Sequence, residues 1–273
     1  MIKQTKLDRV VQSFSEDEWR ELYLAHARGE RTDLIPFPDD SVQIVTNSQK
    51  GEGTAHGALS ILDCVLSCIR EARPDDMTRS LSVLDYGCGW GRMTRLLPYY
   101  FDSSRIVGVD VDGDLVESAN TLLPGIRHQQ ITSMQTLPFE DGAFDVVFAN
   151  SVFSHLSEKS ARFTLRELAR VLGPRGVLVI STLERSNMDQ FYASDRKGKW
   201  IEGVLGPHDE AASQLDEAGF IWGDTGRWHE YGIAITTDAW ITTRFQELDL
   251  DLLGTKYGQH QESHNYKFGV KRS

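Results

Sequence analysis

A chain of 273 residues with 40% hydrophobic and 25% charged residues has ordinary globular composition, enough for one large α/β domain or two small ones. A net charge of −11 argues against general attachment to nucleic acid or anionic membrane, which needs clustered Lys and Arg. Cys64, Cys68 and Cys88 are too few and too odd in number for a disulfide framework. No apolar run approaches the roughly 20 residues of a membrane helix, and the start MIKQTKLDRVVQSF lacks the apolar stretch of a signal peptide; a cytoplasmic protein is the expectation.

In chain order, residues 15–29 (SEDEWRELYLAHARG) read as an amphipathic helix with Ser15 as N-cap, acidic residues in the first turn and Gly29 as stop. Trp19, Leu22, Tyr23 and His26 share its apolar face, His26 as a packing residue. Residues 32–53 have loop composition. A second helix is expected over Thr54–Arg73, with Ala58, Ile61, Leu62, Val65 and Ile69 in register. Cys64 and Cys68 lie on it without further ligands to complete a metal site, so no metal is expected.

After Pro74 strands alternate with helices: Leu81–Tyr86, Arg105–Asp110, Ile126–Gln130, Asp145–Asn150 and Val177–Thr182 are strands, and Ser157–Leu172 is the clearest helix. Runs such as Val146-Val147-Phe148-Ala149 imply a parallel sheet buried on both faces. The first strand opens onto Gly87-Cys88-Gly89-Trp90-Gly91, with helical spacing expected through Met93, Leu96 and Leu97. Residues 184–235 show aromatics without periodicity and read as an ordered cover, or lid. A helix near Thr237–Phe245 and strands near Glu247–Leu252 and His264–Val270 complete the sheet.

The glycine loop sits at a strand's carboxyl end, where open α/β sheets bind ligands. Its spacing is G-x-G-x-G, not the G-x-G-x-x-G of dinucleotide loops, and Asp85 stands two positions before it. A carboxylate there opposes a pyrophosphate and suits an ammonium group. Asp110, ending the next strand, can accept from both ribose hydroxyls. Together Asp85 and Asp110 describe a nucleoside bearing an amine and no phosphate.

VLDYGCGWGR, GVDVD, LPFEDGAFDVVFANSVFSHL and ELARVLGPRGVLVIST, in this order, resemble the class I S-adenosylmethionine-dependent methyltransferases, more narrowly bacterial small-molecule members with GCGWGR and SVFSHL. The likeness is clear over Leu81–Thr182 and weaker from Tyr231 onward. It implies a Rossmann-like, seven-stranded, mostly parallel sheet with an antiparallel last strand and helices on both faces. One domain over 1–273 is expected, made of an N-terminal helical cap (1–74), a cofactor-binding core (75–183), a substrate lid (184–235) and closing strands (236–273).

The resemblance further implies S-adenosyl-L-methionine as cofactor, leaving S-adenosyl-L-homocysteine as product. The backbone of Gly87, Cys88 and Gly89 would meet its methionine portion, beside Gly91, with Asp85 near the amino group. Asp110 would bind the ribose and Val111 an adenine face. Arg92 would bind the cofactor carboxylate or solvate the start of the helix expected after the loop. Ser133 and Met134 replace the family's usual acidic residue at the adenine edge, and Asn150 ends the strand near the methyl. Tyr23 and Thr54, on the helical cap, could also reach the cofactor.

Methyl transfer requires a nucleophile held in line behind the methyl and water kept out. Positioning supplies roughly 7–11 kcal/mol, whereas a general base adds about 10²–10⁴-fold. His155, in SVFSHL, is the candidate base for a hydroxyl acceptor; structural packing at that turn is the competing role. His208, His229, His260 and His264 fall in or beside the segments expected to cover the acceptor. The expected partner is a small-molecule acceptor, a sugar or other metabolite, methylated on oxygen or nitrogen, with no nucleic acid or membrane. Two further readings stay open: a nucleotide-dependent oxidoreductase, and a non-catalytic protein that keeps the nucleoside pocket. Nothing in the sequence bears on oligomeric state.

Overall fold

The computed structural model describes residues 6–75, 78–226, 231–258 and 264–272. By its internal contacts the chain forms two compact units, residues 1–132 with 144–148 and residues 133–143 with 149–273.

The N-terminal unit opens with α1 (Lys6–Val11), α2 (Glu16–Ala27), α3 (Asp40–Asn47) and α4 (Glu52–Ala72). Ser15 Oγ accepts the Glu18 N–H at 3.3 Å and the Glu18 carboxylate accepts the Ser15 N–H at 2.7 Å. That reciprocal box satisfies two donors and fixes where α2 begins. Trp19, Leu22, Tyr23 and His26 are its buried face, as the spacing predicts. His26 Nδ1–H donates to Leu22 O at 2.8 Å, and Nε2 accepts from the Ile35 N–H at 3.3 Å. Both ring nitrogens are therefore used in packing, and burial lowers the pKa. α4 buries Ala58, Leu62, Val65, Cys68 and Ile69, with Cys64 half-buried and neither cysteine in a disulfide. α3 lies inside the stretch expected to be loop. At 8 residues it is too short to show a period, and Gln43 defines it by binding Pro38 O and the Gly51 N–H with its amide.

β1 (Val83–Tyr86), β2 (Ile106–Asp110), α5 (Gly113–Leu122), β3 (Arg127–Gln130) and β4 (Phe144–Ala149) follow. β1 pairs in parallel with β2 and β4, and β2 with β3. Val83, Leu84, Val146 and Val147 are wholly buried, as strands covered on both faces must be. The helix expected after the glycine loop is not formed. Residues 87–96 are turns, and a 3₁₀ turn covers Leu97–Tyr99. Three glycines in left-handed conformation precede this stretch and Pro98, without an N–H, ends it, so no ladder propagates.

The C-terminal unit contains α6 (Glu158–Val171), β5 (Leu172–Thr182), α7 (Arg185–Ala193), α8 (Gly198–Leu205), α9 (His208–Ala218), β6 (Phe220–Asp224), β7 (Gly232–Thr236), α10 (Asp238–Glu247), β8 (Leu250–Tyr257) and β9 (Asn265–Lys271). Ser157 caps α6 by accepting the Ser160 N–H at 3.3 Å, and the predicted stripe Ala161, Leu165, Leu168, Leu172 is buried. β9 runs antiparallel to both β5 and β8. Among the described residues seven strands form one sheet, ordered β3-β2-β1-β4-β5-β9-β8, and β6 and β7 form an antiparallel pair. This is the Rossmann-like sheet, mostly parallel with an antiparallel last strand, that the resemblance implied.

Residues 184–235 are not irregular. α7, α8, α9 and the β6–β7 pair enclose their own core of Met188, Phe191, Ile201, Leu215, Ile221 and Ile235. Helices of 8–11 residues separated by turns carry too few repeats for a period to be read. Lys267 on β9 is wholly buried; its ammonium pairs with Glu184 and Asp238 and donates to Thr255 Oγ1 at 3.0 Å. It thereby ties β9 to the starts of α7 and α10. No helix among the described residues is long and apolar enough to cross a membrane.

Candidate functional site

The loop after β1 is held by glycine geometry. Gly87, Gly89 and Gly91 take φ of 81°, 53° and 79°, values side-chain-bearing residues rarely adopt. At Gly91 a Cβ would also lie 2.8 Å from Thr94 Oγ1 and 2.9 Å from Leu123 Cδ1. Its donors are already used. The N–H groups of Gly87 and Cys88 donate to Val109 O at 2.8 and 3.0 Å, and that of Gly91 to Cys88 O at 3.0 Å. The Gly89 N–H donates to Asp110 Oδ2 at 2.7 Å. A phosphate cradle works by offering such N–H groups to oxygen anions, and this loop has spent them. Any backbone contact that Gly87, Cys88 and Gly89 make with a ligand therefore falls to their carbonyls, which suit a cation.

Two carboxylates flank the loop. Asp85, at the end of β1, is 2% exposed, and its Oδ2 is buried without a hydrogen-bond partner. Burial, reinforced by Asp110 and only partly opposed by Arg92, pushes its pKa up to about 8. Asp110, at the end of β2, is also raised by burial. Its Oδ1 accepts the Asp112 N–H at 3.0 Å and its Oδ2 the Gly89 N–H. The Val111 N–H also steadies the carboxylate; an ionised carboxylate has about four acceptor positions, so acceptor capacity remains. Val111, directly after Asp110, is 51% exposed, an apolar surface left open. Cys88 is buried, and its thiol pKa is raised by burial and by both aspartates. It is an inert packing group.

The helical segment packs onto this loop. Trp90 Nε1–H donates to Thr46 Oγ1 at 2.9 Å, Trp19 Nε1–H to Leu96 O at 3.1 Å, and the Tyr23 hydroxyl to Arg92 O at 3.3 Å. Tyr23 thus meets the loop backbone, and burial raises its pKa to about 12. Arg95 is wholly buried, and its hydrogen bonds among the described residues go to backbone carbonyls. Its guanidinium donates to Gly91 O and Trp90 O, each at 2.9 Å, and to Pro36 O. It also lies 4.5 Å from the centre of the Trp90 ring and 5.1 Å from that of Phe37. Three carbonyls and two ring faces replace its hydration.

The remaining predicted residues belong to the C-terminal unit. Ser133 is exposed, and Met134 has φ of 59°. Asn150 Oδ1 accepts from the Tyr266 hydroxyl at 2.9 Å. His155 stacks on Tyr231 with ring centres 4.2 Å apart. Its Nδ1 lies 2.9 Å from Gly232 O; a carbonyl only accepts, so Nδ1 carries the proton and Nε2 the lone pair. Burial lowers the pKa, which keeps the ring neutral. The His155 carbonyl accepts from Trp222 Nε1 and from the Gly232 N–H, both at 2.9 Å. Gly232, unremarked in the sequence, thus grips His155 from two sides. A Cβ there would sit 2.2 Å from Gly223 O. His264 Nε2 lies 3.0 Å from Ser154 Oγ. His208 is on the surface, 2.8 Å from Asp189. His229 and His260 lie outside the described residues.

The strand order is Rossmann-like, and the engaged loop with the buried Asp85 and half-buried Asp110 suits a phosphate-free nucleoside bearing an amine. The family model described as "Methyltransferase domain" matches residues 84–180, and that part of the chain is a methyltransferase domain. The chain is 39% identical over 103 residues to the malonyl-[acyl-carrier protein] O-methyltransferase of Legionella pneumophila, covering 37% of this chain and 36% of that protein. It is 36% identical over 99 residues to the trans-aconitate 2-methyltransferase of Azoarcus, covering 36% and 38%. The match thus spans little more than a third of the length of these curated relatives. Magnesium protoporphyrin IX methyltransferase from Synechocystis PCC 6803, solved with bound SAH, shares the fold: the TM-score is 0.55 at 15% identity, covering 95% of this chain and 99% of that one.

Proposed function

We propose that the protein transfers a methyl group from S-adenosyl-L-methionine to an oxygen or nitrogen of a small molecule. The observation that carries this reading is the orphaned Asp85 carboxylate beside a glycine loop whose N–H groups are spent. A pyrophosphate would find the N–H groups of Gly87, Cys88, Gly89 and Gly91 already engaged, and a cationic amine finds an acceptor. Bound to this domain, the cofactor supplies an electrophilic methyl whose C–S electron pair stays with sulfur. Asp85 takes its ammonium, and the remaining acceptor capacity of Asp110 takes the ribose hydroxyls. Val111 covers an adenine face, Ser133 and Met134 attend the adenine edge, and Arg92 and Asn150 complete the surroundings.

Where the acceptor is a hydroxyl, its oxygen forms the new bond to carbon and its proton goes to Nε2 of His155. A neutral ring with its lone pair on Nε2 and its other nitrogen fixed by Gly232 has the form of a general base. Residues 184–235 serve as the cover that excludes water, and a cytoplasmic setting fits the reading. A second reading has a carboxylate as acceptor. The two relatives are named for malonyl and trans-aconitate substrates, both carboxylates, and such an acceptor brings no proton for His155 to take.

The test is S-adenosylhomocysteine release from radiolabelled cofactor with panels of alcohols, amines and carboxylic acids. Turnover in one class supports methyl transfer and selects the acceptor. Tight cofactor binding without turnover in any class would leave the non-catalytic reading. Failure to bind S-adenosylhomocysteine would remove the proposal altogether.

A further inference from the structure

Residues 154–156 run antiparallel beside the start of β7. The Ala234 N–H donates to Ser154 O and the Gly232 N–H to His155 O, each at 2.9 Å, and Leu156 pairs with Tyr231 as an antiparallel bridge. Trp222 Nε1–H, from β6, is a second donor to His155 O, also at 2.9 Å. Its indole lies where a side chain at Gly232 would go, since a Cβ there would sit 2.4 Å from Trp222 Nε1. The backbone of His155 is thus fixed from both members of the β6–β7 pair.

The imidazole needs more than a fixed backbone. Its Nδ1–H donates to Gly232 O at 2.9 Å, which sets the tautomer. One hydrogen bond tolerates a broad range of orientations, so by itself it leaves the ring able to swing about the Nδ1–H···O axis. Nε2 lies across the ring, and such a swing would re-aim its lone pair. The Tyr231 ring removes that freedom: the two ring centres are 4.2 Å apart and the planes differ by 14°. Other ring pairs, such as Tyr23–Phe37 and Phe220–Trp240, are tilted by 53° and 46°, which fills space without setting a plane. Tautomer and plane are therefore fixed by the consecutive residues Gly232 and Tyr231.

We propose that Tyr231 is a positioning residue: its ring holds the plane of the His155 imidazole and thereby the direction in which Nε2 presents its lone pair. The inference rests on the reading of His155 as the base and deepens it. Tyr231 falls within residues 184–235, so the segment read as the cover also aligns the base. A misplacement of about 1 Å can cost about 10²-fold in rate. Loss of the plane therefore shows in turnover, whereas binding is left as it was.

The experiment is steady-state kinetics of the full chain with the alcohol methylated fastest in the panel above. The variants are Tyr231→Leu, Tyr231→Met and Tyr231→Phe, each alone and combined with His155→Gln. Leu and Met fill much of the space and lack the flat ring, and either should lower kcat about 10–10²-fold. The acceptor KM should stay within about twofold, and S-adenosylhomocysteine affinity at its wild-type value shows that the variants are folded. Tyr231→Phe, which keeps the flat ring, should recover the rate. In the His155→Gln background the same replacements should lower kcat no further, because a residue that acts through His155 then has nothing to position. An equal loss in both backgrounds would make Tyr231 structural and overturn the assignment. So would wild-type kcat in Tyr231→Leu and Tyr231→Met, or a Tyr231→Phe as slow as they are, and each of these leaves the base reading standing. If His155→Gln turns over like the wild type, or no alcohol is methylated, the base reading falls and this inference with it.

Discussion

In the N-terminal unit the chemistry rests on backbone. Three left-handed glycines shape the loop, their N–H groups are used internally, and a carboxylate with a raised pKa waits beside them. In the C-terminal unit it rests on side chains. His155 is gripped by Gly232, stacked on Tyr231 and kept neutral by burial. One arrangement offers fixed geometry and an unsatisfied charge, suited to a ligand that never varies. The other holds a neutral ring with its lone pair on Nε2, which we propose serves the acceptor, the part of such a fold that varies.

The sharpest way to break this contrast is at His155. His155→Gln should lower turnover on a hydroxyl acceptor by about 10²–10⁴-fold while cofactor affinity stays within a factor of two or so. Unchanged turnover would make the residue structural or the acceptor a carboxylate. The pH profile sharpens the same point. Burial lowers the His155 pKa below its ordinary value, so the base stays competent as pH falls past 6.5. The rate on a hydroxyl acceptor should hold through that range and fall only lower.

Asp85→Asn should reduce S-adenosylhomocysteine affinity about a hundredfold and, in the opposite sense, stabilise the free protein at pH 7. The sign follows from linkage. The folded-state pKa of about 8 lies above the ordinary aspartate value of 3.8, so the unfolded chain gives up this proton first as pH rises. Stability present below the unfolded pKa is then lost between about pH 4 and 8. Melting temperatures across that window should slope downward for the wild type and less so for the variant. Gly91→Ala comes next: with φ of 79° and neighbours at 2.8 and 2.9 Å, it should cost about 1–3 kcal/mol in urea unfolding. Trp90→Phe, which removes the donor to Thr46, should cost about 1 kcal/mol.

How far each region could be read from sequence follows from the same contrast. The glycines, Asp85, Asp110 and the apolar strands carry their geometry in residue type and spacing, and the structure places them as read. So do the Ser15 and Ser157 caps. The turn after Gly91 was read as helix because Met93, Leu96 and Leu97 have helical spacing; Pro98 and the preceding glycines overrule a pattern of three residues. α7, α8 and α9 were missed because short helices repeat too few times to show a period. Arg95 and Lys267 look like surface charges in sequence, and only their partners, carbonyls in one case and two carboxylates in the other, account for their burial. Gly232 could have been suspected as a glycine at the start of a strand, where a close approach is the usual reason for one. What it approaches is Gly223 O and the Trp222 ring, and what it grips, His155, lies 77 residues away in the chain.

The central claim is that the N-terminal unit holds a cationic, phosphate-free nucleoside. Calorimetric titration of the full chain at pH 7 with S-adenosylhomocysteine, and separately with NAD, in buffers of different ionisation enthalpy tests it directly. The account predicts that S-adenosylhomocysteine binds, that protons are released as its ammonium draws Asp85 into the charged form, and that NAD does not bind. Binding of NAD, or binding of S-adenosylhomocysteine with no proton release that Asp85→Asn abolishes, would contradict it.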